Sequence, residues 1–142
     1  MMKANETAQL FKALSDPTRL RIVRLMSVNA VEVCVCELVD SLGEAQYHVS
    51  RHLRELREAG LLYTEKEGRW VYYRLSDKEE VKQWVRFVAT LPAEPFADDQ
   101  KNFEVRLRLR VGGRCRIGIQ NAYLADVPIS FGARAEALET LV

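Results

Sequence analysis

The chain has 142 residues, 48% of them hydrophobic and 29% charged, with a formal net charge of +1. That is enough for one ordinary domain with a real core and an appendage, and too little for two full domains. No apolar run approaches the roughly 18 residues of a membrane span, the opening Met1-Met2-Lys3-Ala4-Asn5-Glu6 lacks a secretory core, and three cysteines are an odd number for a disulfide framework. A cytoplasmic chain with reduced thiols and no membrane partner is therefore expected.

From Glu6 to Leu14, apolar Leu10, Phe11 and Leu14 recur at helical spacing, and Ser15-Asp16-Pro17 ends one helix and starts another. Pro17 suits a first helical position. The second helix, roughly Pro17 to Met26, carries Leu20, Val23 and Met26 at intervals of three, widened by Ile22 and Leu25. A third is expected from about Cys34 to Leu42, with Gly43 as its stop. It begins inside Val33-Cys34-Val35-Cys36-Glu37-Leu38, where two of the three cysteines stand one residue apart. A disulfide across one residue strains the backbone, so the pair is either a shared ligand or small apolar filler.

Glu44 to Ala59 reads as a strong helix with the apolar stripe Ala45, Val49, Leu53 and Leu56. On a helical wheel Tyr47, Ser50, Arg51 and Arg54 fall opposite that stripe, with Gln46 near its flank. Two short helices joined by a tight turn, the second presenting such groups outward, form a helix-turn-helix suited to a major groove. His48 and His52, four apart, have a spacing that can bind zinc. They lie on the same helix, and DNA contact or packing at its flank suits them better. The period then changes to two. Residues 61–66 and 69–75 flank Glu67-Gly68 as a hairpin, a wing with Lys66 and Arg69 at its tip to meet phosphate. Between residues 45 and 74 lie Arg51, Arg54, Arg57, Lys66, Arg69, Arg74 and both histidines, a basic patch hidden by the near-zero total.

Residues 78–91 form a further helix whose Val81, Trp84, Val85 and Val88 exceed what a small winged helix covers alone, which predicts a dimer interface. Pro92 and Pro95 break it. Residues 98–117 suit a helix (Phe103, Leu107, Val111) or, from the alternation in 105–110, a hairpin at Gly112-Gly113; a helix ending before Gly112 is favoured. A short helix is expected from Arg134 to Leu141. The fold class is thus mainly α with a small β-hairpin, a dimeric winged helix-turn-helix. Residues 1–91 are read as the DNA-binding and dimerisation unit, and 92–142 as an extension carrying Cys115.

"FKALSDPTRLRIVRLM" (11–26), "CVCEL" (34–38), "SRHLRELREAGLL" (50–62) and "EGRWVYYRLS" (67–76) together resemble the ArsR/SmtB family of metal-responsive winged-helix repressors over about residues 6–91. The Cys-Val-Cys resembles the inducer site of the arsenical-resistance type. The resemblance implies a homodimer that binds double-stranded operator DNA when metal-free and leaves it when As(III) or Sb(III) binds, with no catalytic cofactor. Soft thiolates select soft ions; trivalent arsenic and antimony take three thiolates, whereas tetrahedral zinc usually takes four ligands. Some family members place a third cysteine three residues after the pair, where this chain has Val39, so Cys115 in "GGRCRIG" is the remaining candidate, with a core thiol as the alternative. The metal set is then Cys34, Cys36 and Cys115, and the DNA set Gln46, Tyr47, Ser50, Arg51, His52, Arg54, Lys66 and Arg69. Residues two apart on an ideal helix point about 200° away from each other, so chelation by Cys34 and Cys36 is expected to unwind the start of their helix.

Two alternatives belong to other classes. A phosphatase-like arsenate reductase loop needs an arginine six residues after its cysteine, and Asp40, Leu42 and Asn121 occupy those positions, so an enzyme is not expected. A winged-helix repressor that senses oxidants or sulfur species shares the DNA-binding half and differs only in its signal.

Overall fold

The computed structural model describes residues 2–121; the helix expected at 134–141 lies outside them. Among the described residues the chain forms six α-helices and one hairpin: α1 (Ala4–Leu14), α2 (Pro17–Asn29), α3 (Val35–Leu42), α4 (Gln46–Glu58), β1 (Leu62–Glu67), β2 (Trp70–Leu75), α5 (Glu79–Ala89) and α6 (Ala97–Leu107). None of these helices is long and apolar enough to cross a membrane.

The α1–α2 break follows from Asp16-Pro17. The Asp16 carboxylate accepts the Arg19 backbone N–H at 3.1 Å, satisfying a donor at the start of α2 that no helical carbonyl can reach, while Pro17 loses nothing at a position whose N–H would be unpaired. The α3–α4 turn is tight because Gly43 takes a left-handed conformation (φ 69°), which closes α3 and redirects the chain within three residues. Across that turn Glu44 accepts from the Thr18 hydroxyl and pairs with Arg21, fixing the helix-turn-helix onto α2. Val49, Leu53 and Leu56 on α4 pack into the same core as Leu10, Ile22, Met26 and Leu38.

The hairpin is antiparallel, with Glu67 opposite Trp70 and Gly68-Arg69 as its two-residue turn, one residue later than the sequence suggested. Apart from Leu62 and Tyr72 its side chains are half-buried or exposed, as befits a wing standing away from the core.

One element departs from expectation. The α5 stripe is covered within the chain: Val81, Val85 and Val88 belong to the main core, and the Ser27 hydroxyl donates to the Val85 carbonyl at 2.8 Å across the contact with α2. Exposed apolar side chains include Phe87 of α5 and Phe11, whose ring the half-buried Trp84 meets edge-on at 4.8 Å. The helix favoured over 98–117 is present as α6, which ends at Leu107, before Gly112. Its Phe103 reaches the core, α6 lies against α3, and the chain then turns back through Gly112 and Gly113, both at positive φ, with Val111 bridged to Arg114. The carboxy-terminal arm, residues 108–121, is thereby laid across α3 and the wing.

Candidate functional site

Besides the main core there is a second, small one, made of Cys34, Cys36, Tyr72 and Cys115. The structure therefore brings together the three thiols that are scattered in sequence. The Sγ atoms of Cys36 and Cys115 are 3.5 Å apart, and those of Cys34 and Cys115 lie within 4.8 Å of each other and of a Glu37 carboxylate oxygen. For comparison, two thiolates on one tetrahedral ion with bonds of about 2.3 Å stand roughly 3.8 Å apart. All three cysteines are free and buried.

The expected start of the third helix is corrected by a single residue of register. Helix α3 starts at Val35, not Cys34; Cys34 is its N-cap, with extended backbone (φ −94°, ψ 158°). A cap residue does not obey the 100° helical step, so Cys34 and Cys36 need not point about 200° apart, and both lie in the same buried cluster. The cap is held by Glu37, whose carboxylate accepts the Cys34 backbone N–H at 3.0 Å, one arm of a capping box.

Cys115 is delivered by ion pairs that wrap the arm around α3. Glu37 is fully buried and accepts from Arg110 through both oxygens, at 2.7 and 2.8 Å. One turn on, Asp40 accepts from Arg106 Nε at 2.7 Å and from the backbone N–H groups of Gln120 and Asn121. Arg106 in turn donates to the carbonyls of Ile117 and Gly118. Arg114, next to the thiol, donates to Glu32 and to Glu67 of the wing, and its guanidinium lies over the Tyr72 ring at 4.0 Å. The Cys115 N–H donates to the Tyr72 hydroxyl oxygen at 2.9 Å. Sequence reasoning missed Glu37, Asp40, Tyr72, Arg106, Arg110 and Arg114. The one local signal was the spacing of four between the three arginines.

Electrostatics in the cluster favour one shared thiolate. Hydrogen bonds from Cys34 and Cys36 hold the Cys115 thiol far below the ordinary range, against burial and with help from the Arg106 charge. The neighbours keep their protons correspondingly: Cys115 pushes Cys36 up to about 12 and raises Cys34 further. A thiolate is the form that attacks and ligates.

On the opposite side of α4, Tyr47 is 56% exposed, Arg51 and Arg54 are exposed, and Gln46 and Ser50 are half-buried. The Tyr47 and His48 rings stack at 4.1 Å, and Arg51 Nη2 lies 3.4 Å from His48 Nδ1. His52 is not in this row. Its side chain, 12% exposed, turns to the start of α2, with Nδ1 3.2 Å from Arg19 Nη1 and 3.7 Å from the Asp16 carboxylate. Lys66 and Arg69 are exposed at the wing tip, Arg69 lying over Trp70 at 5.3 Å.

Comparison with known proteins agrees with this architecture. Residues 16–64 match the family model described as bacterial regulatory protein, arsR family. The chain is 40% identical over 91 residues to an HTH-type transcriptional regulator of Methanocaldococcus jannaschii, MJ1325, covering 64% of this chain and the whole of that protein. The chain belongs to the ArsR family of bacterial regulatory proteins. Members of this kind are transcriptional regulators and not enzymes. The arsenical resistance operon repressor of Escherichia coli is 56% identical over 68 residues, which is 48% of this chain and 57% of that repressor; the chain thus spans little more than half the length of that relative. Among solved structures, HlyU from Vibrio cholerae superposes with a TM-score of 0.55 at 36% identity, over 63% of this chain and 97% of that one. The repressor BigR from Xylella fastidiosa gives 0.55 at 34%, over 65% and 88%. These are winged-helix regulators, as the hairpin after α4 requires.

Proposed function

We propose that this ArsR-family chain is an operator-binding repressor that trivalent arsenic or antimony releases from DNA. The observation that carries the reading is the buried meeting of Cys34, Cys36 and Cys115, three soft donors with no fourth sulfur, which suits an ion that takes three thiolates. Arsenious acid binding three thiols releases three waters and leaves a neutral product, so a buried site accepts it without burying net charge. The name of the Escherichia coli relative supports the same signal.

In this reading α4 enters the major groove with Tyr47, Ser50, Arg51 and Arg54 toward the bases, while Lys66 and Arg69 of the wing meet phosphate. His52 serves by fixing α4 to α2, and not by touching DNA. Two such units read an inverted repeat as a homodimer, and the exposed Phe11 and Phe87 beside Trp84 supply the apolar surface for self-association. Residues 1–91 hold the DNA-binding and dimerisation parts, and the arm contributes the third sulfur.

The test is titration of the DNA-bound protein with arsenite. Wild type should release its operator, whereas Cys34→Ser and Cys36→Ser should bind DNA nearly as well and ignore arsenite. Release by arsenite from the double variant would place the inducer elsewhere and end this reading. The separation of 3.5 Å between Cys36 and Cys115 also favours a second reading, a thiol-redox signal. Release by peroxide at stoichiometric dose, with no response to arsenite, would select it.

A further inference from the structure

The thiol cluster has one more potential donor within reach, and the chain holds it aside. A Glu37 carboxylate oxygen lies within 4.8 Å of the sulfurs of Cys34 and Cys115, and Glu37 is fully buried. Cys36 lies outside that group but 3.5 Å from Cys115; with it, three thiolates and a carboxylate would be a four-donor set of the kind zinc and cadmium take. Yet both Glu37 oxygens are engaged by Arg110, at 2.7 and 2.8 Å, and one of them also accepts the Cys34 N–H. Arg110 is itself fixed, donating to the Glu32 carbonyl at 2.7 Å and to the Gly113 carbonyl at 3.2 Å.

We propose that Arg110 is a specificity-determining residue, which keeps the site a three-sulfur metalloid site by denying Glu37 to divalent cations. The inference rests on the three-thiol reading above. A trivalent metalloid on three thiolates is neutral and leaves the Glu37–Arg110 pair intact. A divalent cation on the same sulfurs carries a net negative charge, and recruiting Glu37 as fourth ligand adds another while stranding a buried guanidinium. Both terms oppose the divalent ion, because an unpaired charge in a dry interior is strongly unfavourable. Removing the guanidinium reverses the balance: the carboxylate then lacks a partner, and a cation supplies one.

The experiment compares wild type, Arg110→Met, Glu37→Gln and the double variant, full length and kept reduced. Arsenite and cadmium affinities are measured by competition with a small dithiol and a chromophoric chelator. Arg110→Met should raise the cadmium-to-arsenite affinity ratio by about tenfold or more, the size of effect that groups bonded to metal ligands exert. The double variant, with neither the guanidinium nor the carboxylate, should return the ratio to the wild-type value, and Glu37→Gln alone should keep arsenite binding, since all three sulfurs remain. Arg110→Lys, which keeps the charge but loses the two-toothed grip, should fall between and serves if Arg110→Met does not fold. An unchanged ratio in Arg110→Met and Arg110→Lys with arsenite binding intact overturns the role of Arg110 alone, as does an equal rise in the double variant. Failure of wild type to bind arsenite overturns the three-thiol reading and this inference with it.

Discussion

Truncating Asp40 to alanine tests whether the arm is truly clamped. Asp40 and Arg106 form a pair in which each side chain is 3% exposed, and Asp40 also accepts the backbone N–H groups of Gln120 and Asn121. Removing one member of such a pair leaves the other charge buried without a partner, a loss of about 3–5 kcal/mol. The folded protein has a cheaper response than keeping that strain. It can release residues 108–121 into water, which rehydrates Arg106 and both N–H groups but withdraws Cys115 from Cys34 and Cys36. Asp40→Ala should therefore lose amide-exchange protection at 108–121 while α4 keeps it, and arsenite affinity should fall. The fall is bounded by the same energy, about 100-fold to a few thousand-fold. Asp40→Asn retains an oxygen for the two N–H groups and should lose less. Chemical denaturation, exchange mass spectrometry and arsenite titration read the three effects. An Asp40→Ala protein with stability within about 0.5 kcal/mol of wild type and unchanged exchange in the arm would refute the clamp.

The nucleic-acid face yields paired predictions. Arg51→Ala should weaken operator binding by about 1–3 kcal/mol while sparing nonspecific DNA, if it grips a guanine edge; equal loss on both would refute base readout. Lys66→Ala and Arg69→Ala should weaken binding on all sequences alike and lower the salt slope by about one each. Phe87→Glu, at a side chain 61% exposed, should give a monomer by sedimentation with the fold intact and operator affinity greatly reduced. An unchanged dimer would move the interface away from α5.

Much of the fold is written locally. Asp16-Pro17, the stripe Val49-Leu53-Leu56 and the period-two run around Gly68 each announce their element, because caps, helical faces and hairpin turns are set by near neighbours. The misreadings have nonlocal causes. Val81, Val85 and Val88 looked surplus because their cover, α2, is a matter of tertiary packing. The thiol pair looked divergent because the helix was started one residue early, and helix ends are the least certain feature of a periodic pattern. Glu37 and Asp40 are almost wholly buried, which their charge gives no reason to expect. Their partners, Arg110 and Arg106, stand more than sixty residues away in sequence, as the separations of 73 and 66 show, and no local pattern encodes such a pairing. Cys115 was legible as a candidate, and its arrival at the pair was not.

The position of the sulfurs also bears on how a signal there would reach DNA. Val33, the residue before Cys34, is hydrogen-bonded in both directions to Tyr73 of β2, at 3.1 and 2.7 Å, and Cys115 is bonded through its N–H to Tyr72. The residue before Cys34 is thus tied by backbone groups to β2, and Cys115 is tied through its N–H to a side chain of the same strand, while Cys36 sits in the first turn of α3, which ends at the Gly43 turn into α4. Drawing three sulfurs onto one centre requires Cys34 to approach the Cys36–Cys115 pair, which already stands 3.5 Å apart. In a close-packed interior such shifts are passed to whatever is rigidly attached. Here the attached parts are the wing and α3; under the proposed function their relative placement sets whether Lys66, Arg69 and the Arg51 face of α4 match a groove and its phosphates together. Under the proposed function no unwinding of α3 is needed, since a change in the angle between wing and recognition helix is sufficient. Arsenite should then alter exchange and fluorescence at Trp70 and Tyr72 while leaving the helical far-UV signal of α3 and α4 unchanged; loss of that helical signal on binding would restore the unwinding mechanism.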